Sequence, residues 1–387
     1  MSSSSHQYKG GSHQRGSQSA ASTVTLCINE LDPGGAERAL VRIATGLLDR
    51  GWRVNVVSLR NAGYLSGQLE AAGISVTALG CGGFVDVRAI FRLRRILRRQ
   101  RPDVMVCFLH QANIVGRLSG WLAGVRAVVS GIRVADRRKW VIWTDRLTRG
   151  LTRKYVAVSQ HVADVHGWLC GLGEDRIMVI RNGVDIPDPR PIRIDRDDSE
   201  RRILFVGRLT EQKRPQNLVN AVAAMAVQPG KSVVVDFLGD GELRSELQQL
   251  IFATGLSGCV RLHGYQSNVA EWMAQADVLA LPSAWEGLPN VVLEAMAHGL
   301  PVIATNVDGV PEIIEHGVTG WIIPPDDVAA LTDALTNLLA DINGRRLVAN
   351  RAFDVVQQHF RWDTAVEAFD SLLSGLITAE PNVQKHS

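Results

Sequence analysis

Short apolar runs rich in β-branched residues recur along this chain, and most are followed by a longer segment whose apolar residues repeat at helical spacing. Strands buried on both faces read as continuous Val/Ile/Leu runs, and returning to a parallel neighbour takes a crossover of helical length. The alternation therefore dictates parallel sheets covered by helices on both sides. The first half supplies TVTLCI, RVNVVSL, DVMVCF, RAVVSG and YVAVS as strands, with helices such as Ala36–Leu48 and Asp86–Arg99 between them. A charged, proline-bearing stretch, VDIPDPRPIRIDRDDSERR, has little to pack and reads as an extended linker. The pattern then restarts with RILFVG, SVVVDFLG, CVRLHG, DVLALP and PVIAT. The expected fold class is α/β, two doubly wound Rossmann-like domains facing across a cleft. In such sheets ligands bind beyond the carboxyl ends of the strands.

The predicted organisation is a disordered tail over 1–22, a first domain over 23–188, a linker over 189–201, a second domain over 202–358 and a closing segment over 359–387. The tail is polar, rich in Ser, Gly and Gln, and has no apolar centre of the kind a secretory signal needs. No run reaches the roughly 18 apolar residues of a membrane span. The net charge of +3 over 387 residues gives no general argument for nucleic acid. Five scattered cysteines without a Cys-x-x-Cys pair indicate neither a disulfide framework nor a zinc site. A cytoplasmic protein is expected.

The motifs fall at the strand ends. After the first strand, NELDPGGAER places Gly34 and Gly35 at a helix start, where backbone can approach a ligand and helix amides can face an anion. The loop lacks the Gly-x-Gly-x-x-Gly spacing of a dinucleotide fingerprint, and a plain tight turn explains it equally. In the second half, FVGRLTEQKRP sets Arg208 and Lys213 just after a strand, two cations suited to a diphosphate, or simply a solvated basic loop. Further on, PSAWEGLPNVVLEAMAHGLPVIAT holds two acids, Glu286 and Glu294, on either side of a helix start near Pro289 and Asn290. Amides exposed at that start favour a phosphate, and carboxylates accept hydrogen bonds from paired hydroxyls, so one acid can grip a ribose and the other a hexose. A glycosidase pair is the competing chemistry, and a turn residue with a half-exposed helix residue is the ordinary one.

Taken together, GGAER, NGVD at Asn182–Asp185, VGRLTEQKRP, GDGE and above all EGLPNVVLEAMAHGLPVIAT resemble the large retaining glycosyltransferase family 4. The resemblance implies the GT-B architecture, with an acceptor-side first domain, a nucleotide-sugar-binding second domain, and a final helix, FRWDTAVEAFDSLL, crossing back to the first. It assigns Glu286 to the hydroxyls of the transferred sugar and Glu294 to the ribose. Arg208 and Lys213 match the cations on the donor diphosphate, and Gly34, Gly35, Gly287, Leu288 and Asn290 complete the donor site. His110 resembles a histidine lying over the reacting sugar, although CFLHQANIVGR departs from the family's usual form, and a core or capping histidine is the alternative.

The implied activity is transfer, with retention, from a nucleotide-diphosphate sugar, UDP-sugar first, to a hydroxyl acceptor in polysaccharide or glycolipid assembly. No cofactor or obligatory metal is expected, because the Asp-x-Asp at Asp195 and Asp197 falls in the linker and not at a strand end. A GT-B nucleotide-sugar epimerase and a non-catalytic nucleotide-sugar-binding scaffold stay open as alternatives. Expected partners are the nucleotide sugar and a glycan or lipid-linked sugar acceptor, without nucleic acid. Two basic stretches, VDVRAIFRLRRILRRQRP and RVADRRKWVIWTDRLTRGLTRKY with Trp140 and Trp143, suit peripheral docking on an anionic membrane at the inner face of the cytoplasmic membrane. A helix packed on the sheet with a solvated cationic face is the ordinary reading.

Overall fold

The computed structural model describes residues 21–82, 86–188, 200–225 and 232–378. The predicted tail up to residue 20, the linker over 189–199 with Asp195 and Asp197, and the last residues from 379 lie outside the described residues.

Two wholly parallel sheets form. The first contains β1 (Thr23–Ile28), β2 (Arg53–Ser58), β3 (Ser75–Ala78), β4 (Val104–Phe108), β5 (Ala127–Ile132), β6 (Lys154–Ala157) and β7 (Ile177–Val179), in the order β3-β2-β1-β4-β5-β6-β7. The second contains β8 (Glu200–Val206), β9 (Ser232–Leu238), β10 (Val260–Leu262), β11 (Val278–Leu281), β12 (Val302–Thr305) and β13 (Trp321–Ile323), in the order β10-β9-β8-β11-β12-β13. The inner strands β1, β4, β5, β11 and β12 are buried along their whole length, as continuous apolar runs require. β8 opens at Glu200, inside the stretch read as linker, because Glu200 and Arg201 pair with Ser232 and Val233 of β9.

Strand order reverses between β1 and β4 in the first sheet and between β8 and β11 in the second. At such switch points the flanking loops leave in opposite directions and open a crevice. Gly34 follows β1, His110 follows β4, Arg208 follows β8 and Glu286 follows β11. These four candidates thus stand beside places where the fold opens a cleft.

The domains share an apolar seam, in which Val158 and Val184 of the first domain pack with Leu288, Val292 and Val310 of the second. The closing helix Trp362–Thr378 lies on the first domain. Asp370 accepts the Trp52 indole N–H at 2.7 Å, Phe369 faces Phe108 at 6.4 Å between ring centres, and Val366 fills the space beside Gly46.

Candidate active site

The cation loop after β8 is a tight turn, with the Thr210 amide donating to the Arg208 carbonyl and the Lys213 amide to that of Thr210, both at 3.0 Å. The Lys213 stem lies across Gly207. The GDGE turn supports this loop from behind. Leu209 donates to Asp240 and Leu243 to Leu209, each at 3.0 Å. At Gly239, φ is +131° and an added Cβ would sit 2.0 Å from the Gly207 carbonyl, so only glycine fits.

Lys213 Nζ donates to Glu286 Oε1 at 2.5 Å and Ser283 Oγ donates to the same oxygen at 2.6 Å. Glu286 is 5% exposed, and a carboxylate so buried is tolerable only when paired and hydrogen-bonded. Its own amide donates to Asp308 Oδ2 at 2.7 Å. Arg208 is exposed at the start of the loop. A polyanion entering here meets an exposed guanidinium and an ammonium that a buried carboxylate holds in place.

The helix Asn290–Ala297 starts as expected, behind Pro289. Gly287, Leu288 and Asn290, read from the sequence as donor contacts, are engaged with the first domain in this structure. A Cβ at Gly287 would lie 1.7 Å from the Arg133 carbonyl, and Leu288 is buried in the shared seam. Asn290 donates to the Gly35 carbonyl at 3.1 Å and accepts from Asn182 at 2.6 Å, while Arg133 donates to Asn182 at 2.8 Å. Burial lowers the Arg133 pKa to about 10, against the pull of nearby Glu37. One turn along, Glu294 lies 3.9 Å from Arg38 of the first domain. Burial raises the Glu294 pKa and Arg38 opposes the rise.

Across the cleft Gly34 is the N-cap and Gly35 the first residue of the helix Gly35–Asp49. The Glu37 carboxylate folds back beside Gly34, 2.2 Å from where a Cβ would be. Burial raises its pKa although Arg133 and Arg208 pull the other way. That acid stands where the helix amides would otherwise face an incoming anion.

His110 opens the helix His110–Ala123 behind Leu109, whose φ of +73° is a conformation that a branched side chain rarely adopts. Asn29, at the end of β1, caps this helix by accepting the Ala112 amide at 3.0 Å. Thr144 Oγ1 lies 3.0 Å from His110 Nε2, and the Trp140 ring stands edge-on at 5.2 Å. Burial lowers the His110 pKa to about 4, so the ring is neutral at physiological pH.

Among the described residues one group has metal-ligand proximity, the buried Asp145, His166 and Cys170. Asp145 is already neutralised by Arg117 at 3.0 Å and accepts the Tyr155 hydroxyl at 2.8 Å. Burial pushes the Cys170 thiol up to about 12, so it stands protonated beside them. The internal guanidinium occupies the place of a cation there.

Two family models divide the chain as the two sheets do. Residues 33–187 match the model described as Glycosyltransferase Family 4, and residues 200–341 match Glycosyl transferases group 1. This chain is a glycosyltransferase. Among its relatives, the lipopolysaccharide core biosynthesis glycosyltransferase LpsE of Rhizobium meliloti is 26% identical over 349 residues, 88% of this chain and 96% of that protein. An Escherichia coli UDP-Gal:alpha-D-GlcNAc-diphosphoundecaprenol alpha-1,3-galactosyltransferase is 26% identical over 300 residues, 72% of this chain and 77% of the relative. Among solved structures, Anabaena HepE in complex with UDP and glucose aligns with a TM-score of 0.79 at 23% identity, over 92% of this chain and all of that one. The glycosyltransferase has the GT-B fold, and the epimerase and scaffold alternatives gain no support from these relatives.

The structure of the transferase brings Lys213 and Glu286 into direct contact and sets Gly35, Asn290 and Glu294 along the domain interface. It keeps His110 on the first domain with Thr144 and Trp140. Sequence reasoning missed Arg133, Glu37, Ser283 and Asp308. Arg133 and Asp308 follow β5 and β12, so their strand-end position was the available signal.

Proposed function

We propose that this glycosyltransferase moves a hexose from a UDP-sugar to a hydroxyl of a glycan or lipid-linked sugar, with retention and without a metal ion, in polysaccharide or glycolipid assembly. The observation that carries the proposal is the buried Glu286, held by Lys213 at 2.5 Å and Ser283 at 2.6 Å at the switch point of the second sheet. The pair offers a phosphate-binding cation and a hydroxyl-accepting acid side by side.

In this reading Arg208 and Lys213 bind the diphosphate and stabilise the charge that develops as the bond from the anomeric carbon to phosphate oxygen breaks. The amides behind Gly34 and Gly35 assist, with Glu37 displaced by the donor. The acceptor hydroxyl attacks from the same face and gives its proton to the departing phosphate oxygen, which balances the transfer. Glu286 holds sugar hydroxyls, Glu294 holds the ribose, and the neutral His110 lies over the sugar without adding charge. Names of relatives support a UDP donor and a lipid-linked acceptor: one is a UDP-galactose-dependent transferase acting on a diphosphoundecaprenol glycan.

Peripheral membrane docking belongs to the same reading. Among the described residues no helix is long and apolar enough to cross a membrane. The helix Val87–Gln100 exposes Phe91 with Arg88, Arg95, Arg98 and Arg99. Arg92, also exposed, donates to the Leu79 carbonyl at 2.9 Å, and the half-buried Arg94 to that of Leu122 at 3.1 Å. Trp143, Leu147 and Trp168 stand exposed on two other helices of the first domain, and Trp140, which stands edge-on to His110, is exposed as well. Aromatic side chains among arginines suit an anionic lipid surface.

The test follows product stereochemistry by proton NMR in excess EDTA, after UDP-, GDP- and ADP-sugars have been screened for thermal stabilisation. The expected product keeps the donor's anomeric configuration at an undiminished rate. An inverted product, or loss of transfer that magnesium or manganese restores, overturns the proposal.

A further inference from the structure

The loop after β12 has no part in the mechanism above, yet it touches both the second domain's acid and the first domain. Asp308 sits at φ +42°, a left-handed conformation that aspartate adopts more readily than most side chains but that glycine adopts without strain. Its Oδ2 accepts the Glu286 amide at 2.7 Å. Its Oδ1 lies 3.2 Å from Nε2 of His161 in the first domain, a ring nitrogen sealed from water with no aligned hydrogen-bond partner. Four residues on, Glu312 accepts the amides of Gln160 and His161 at 3.0 and 2.9 Å and the Arg181 guanidinium at 2.8 Å. The first turn of the helix Gln160–Cys170 therefore grips this loop at two points, and the loop in turn holds the backbone of Glu286.

We propose that Asp308 is a positioning residue that transmits docking of the first domain, through His161, to the backbone of Glu286. Its functional meaning rests on the reading of Glu286 as the acid that holds the donor sugar. With the domains together, His161 and Glu312 fix the loop and Asp308 sets the acid. When the domains part, the His161 contact is lost and the Glu286 amide keeps only a loosely held partner. Placement of the sugar-holding acid is thereby tied to closure, which excludes water before transfer.

Amide hydrogen exchange at Glu286, in the full chain with saturating UDP, reads this contact directly. Asp308→Gly removes the carboxylate without strain at positive φ, whereas Asp308→Asn keeps an acceptor oxygen. Exchange is expected to rise at least about tenfold in Asp308→Gly, to stay near wild type in Asp308→Asn, and to rise about threefold or more in His161→Ala. UDP affinity should change less than about twofold in all three. Unchanged exchange in Asp308→Gly removes the positioning role, and unchanged exchange in His161→Ala removes the transmission. Faster exchange in Asp308→Asn equal to that in Asp308→Gly, or a parallel loss of UDP affinity, shows a merely structural residue. If exchange behaves as expected while Glu286→Ala leaves donor binding and transfer intact, the sugar-holding role of Glu286 fails and the positioning contact stands.

Discussion

Replacing Gly287 by alanine should hold the two domains apart. The Gly287 backbone is not left-handed, so alanine fits its torsions; the obstacle is the Arg133 carbonyl, 1.7 Å from the new Cβ. Restoring van der Waals separation moves the facing loops apart by roughly 1.5–2 Å. Cross-cleft hydrogen bonds now at 2.9–3.1 Å, from Gln160 and His161 to Glu312 and from Asn290 to Gly35, then stretch out of range. At a net of about 1 kcal/mol each, losing these three disfavours closure by about 3 kcal/mol, on the order of a hundredfold in the closed population. Turnover should fall by a similar factor. UDP affinity should fall far less than turnover, because Arg208, Lys213 and Glu294 all stand on the second domain and keep their places, and the melting temperature should drop only slightly as the seam between Val158 and Leu288 loosens. Small-angle scattering with saturating UDP should report a larger radius of gyration for Gly287→Ala than for wild type. Wild-type turnover with a wild-type radius refutes the reasoning, since the loops would then not need this contact.

Two further perturbations separate the parts of the site. Burial raises the Glu294 pKa, and only the ionised form accepts from two ribose hydroxyls at once, with both oxygens free of a proton. UDP binding therefore draws that pKa down, and affinity should rise with pH through the raised pKa and level off above it, while an affinity that does not rise with pH above the ordinary carboxylate range contradicts the ribose assignment. Binding to anionic vesicles should weaken steeply with salt and on replacing Arg88, Arg95 and Arg99 together; equal binding to neutral vesicles leaves a solvated helix face.

How much was legible followed from where each residue sits. Central strands such as VMVCF and VIAT are buried on both faces, so their apolar runs announce them. The strands absent from the sequence reading are β3 (SVTA), β7 (IMV) and β13 (WII), all at sheet edges, three or four residues long and mostly half-buried. Half-burial removes the signal that the reading used. Glu286, Glu294 and Lys213 could be singled out as candidates because two local motifs set them at a strand end or helix start, and the structure adds that Lys213 and Glu286 touch. Arg133, Asp308 and the engagement of Asn290 with Gly35 were not, because they depend on how two separately folded sheets meet. The same cause hides the packing of Gly287 and Leu288 on the first domain. At Gly287 the other domain's backbone, the Arg133 carbonyl, stands where a side chain would be.

The central claim is that two acids eight residues apart divide one donor between them, and calorimetry of UDP and of the stabilising UDP-sugar on Glu286→Ala and Glu294→Ala tests it most directly. Glu294→Ala should weaken both ligands by roughly 1–3 kcal/mol, the loss of charged hydrogen bonds to the ribose. Glu286→Ala should leave UDP unchanged and weaken only the intact donor. Loss of UDP in Glu286→Ala with its retention in Glu294→Ala would reverse the assignment, and unaltered binding of both ligands to both variants would contradict the account.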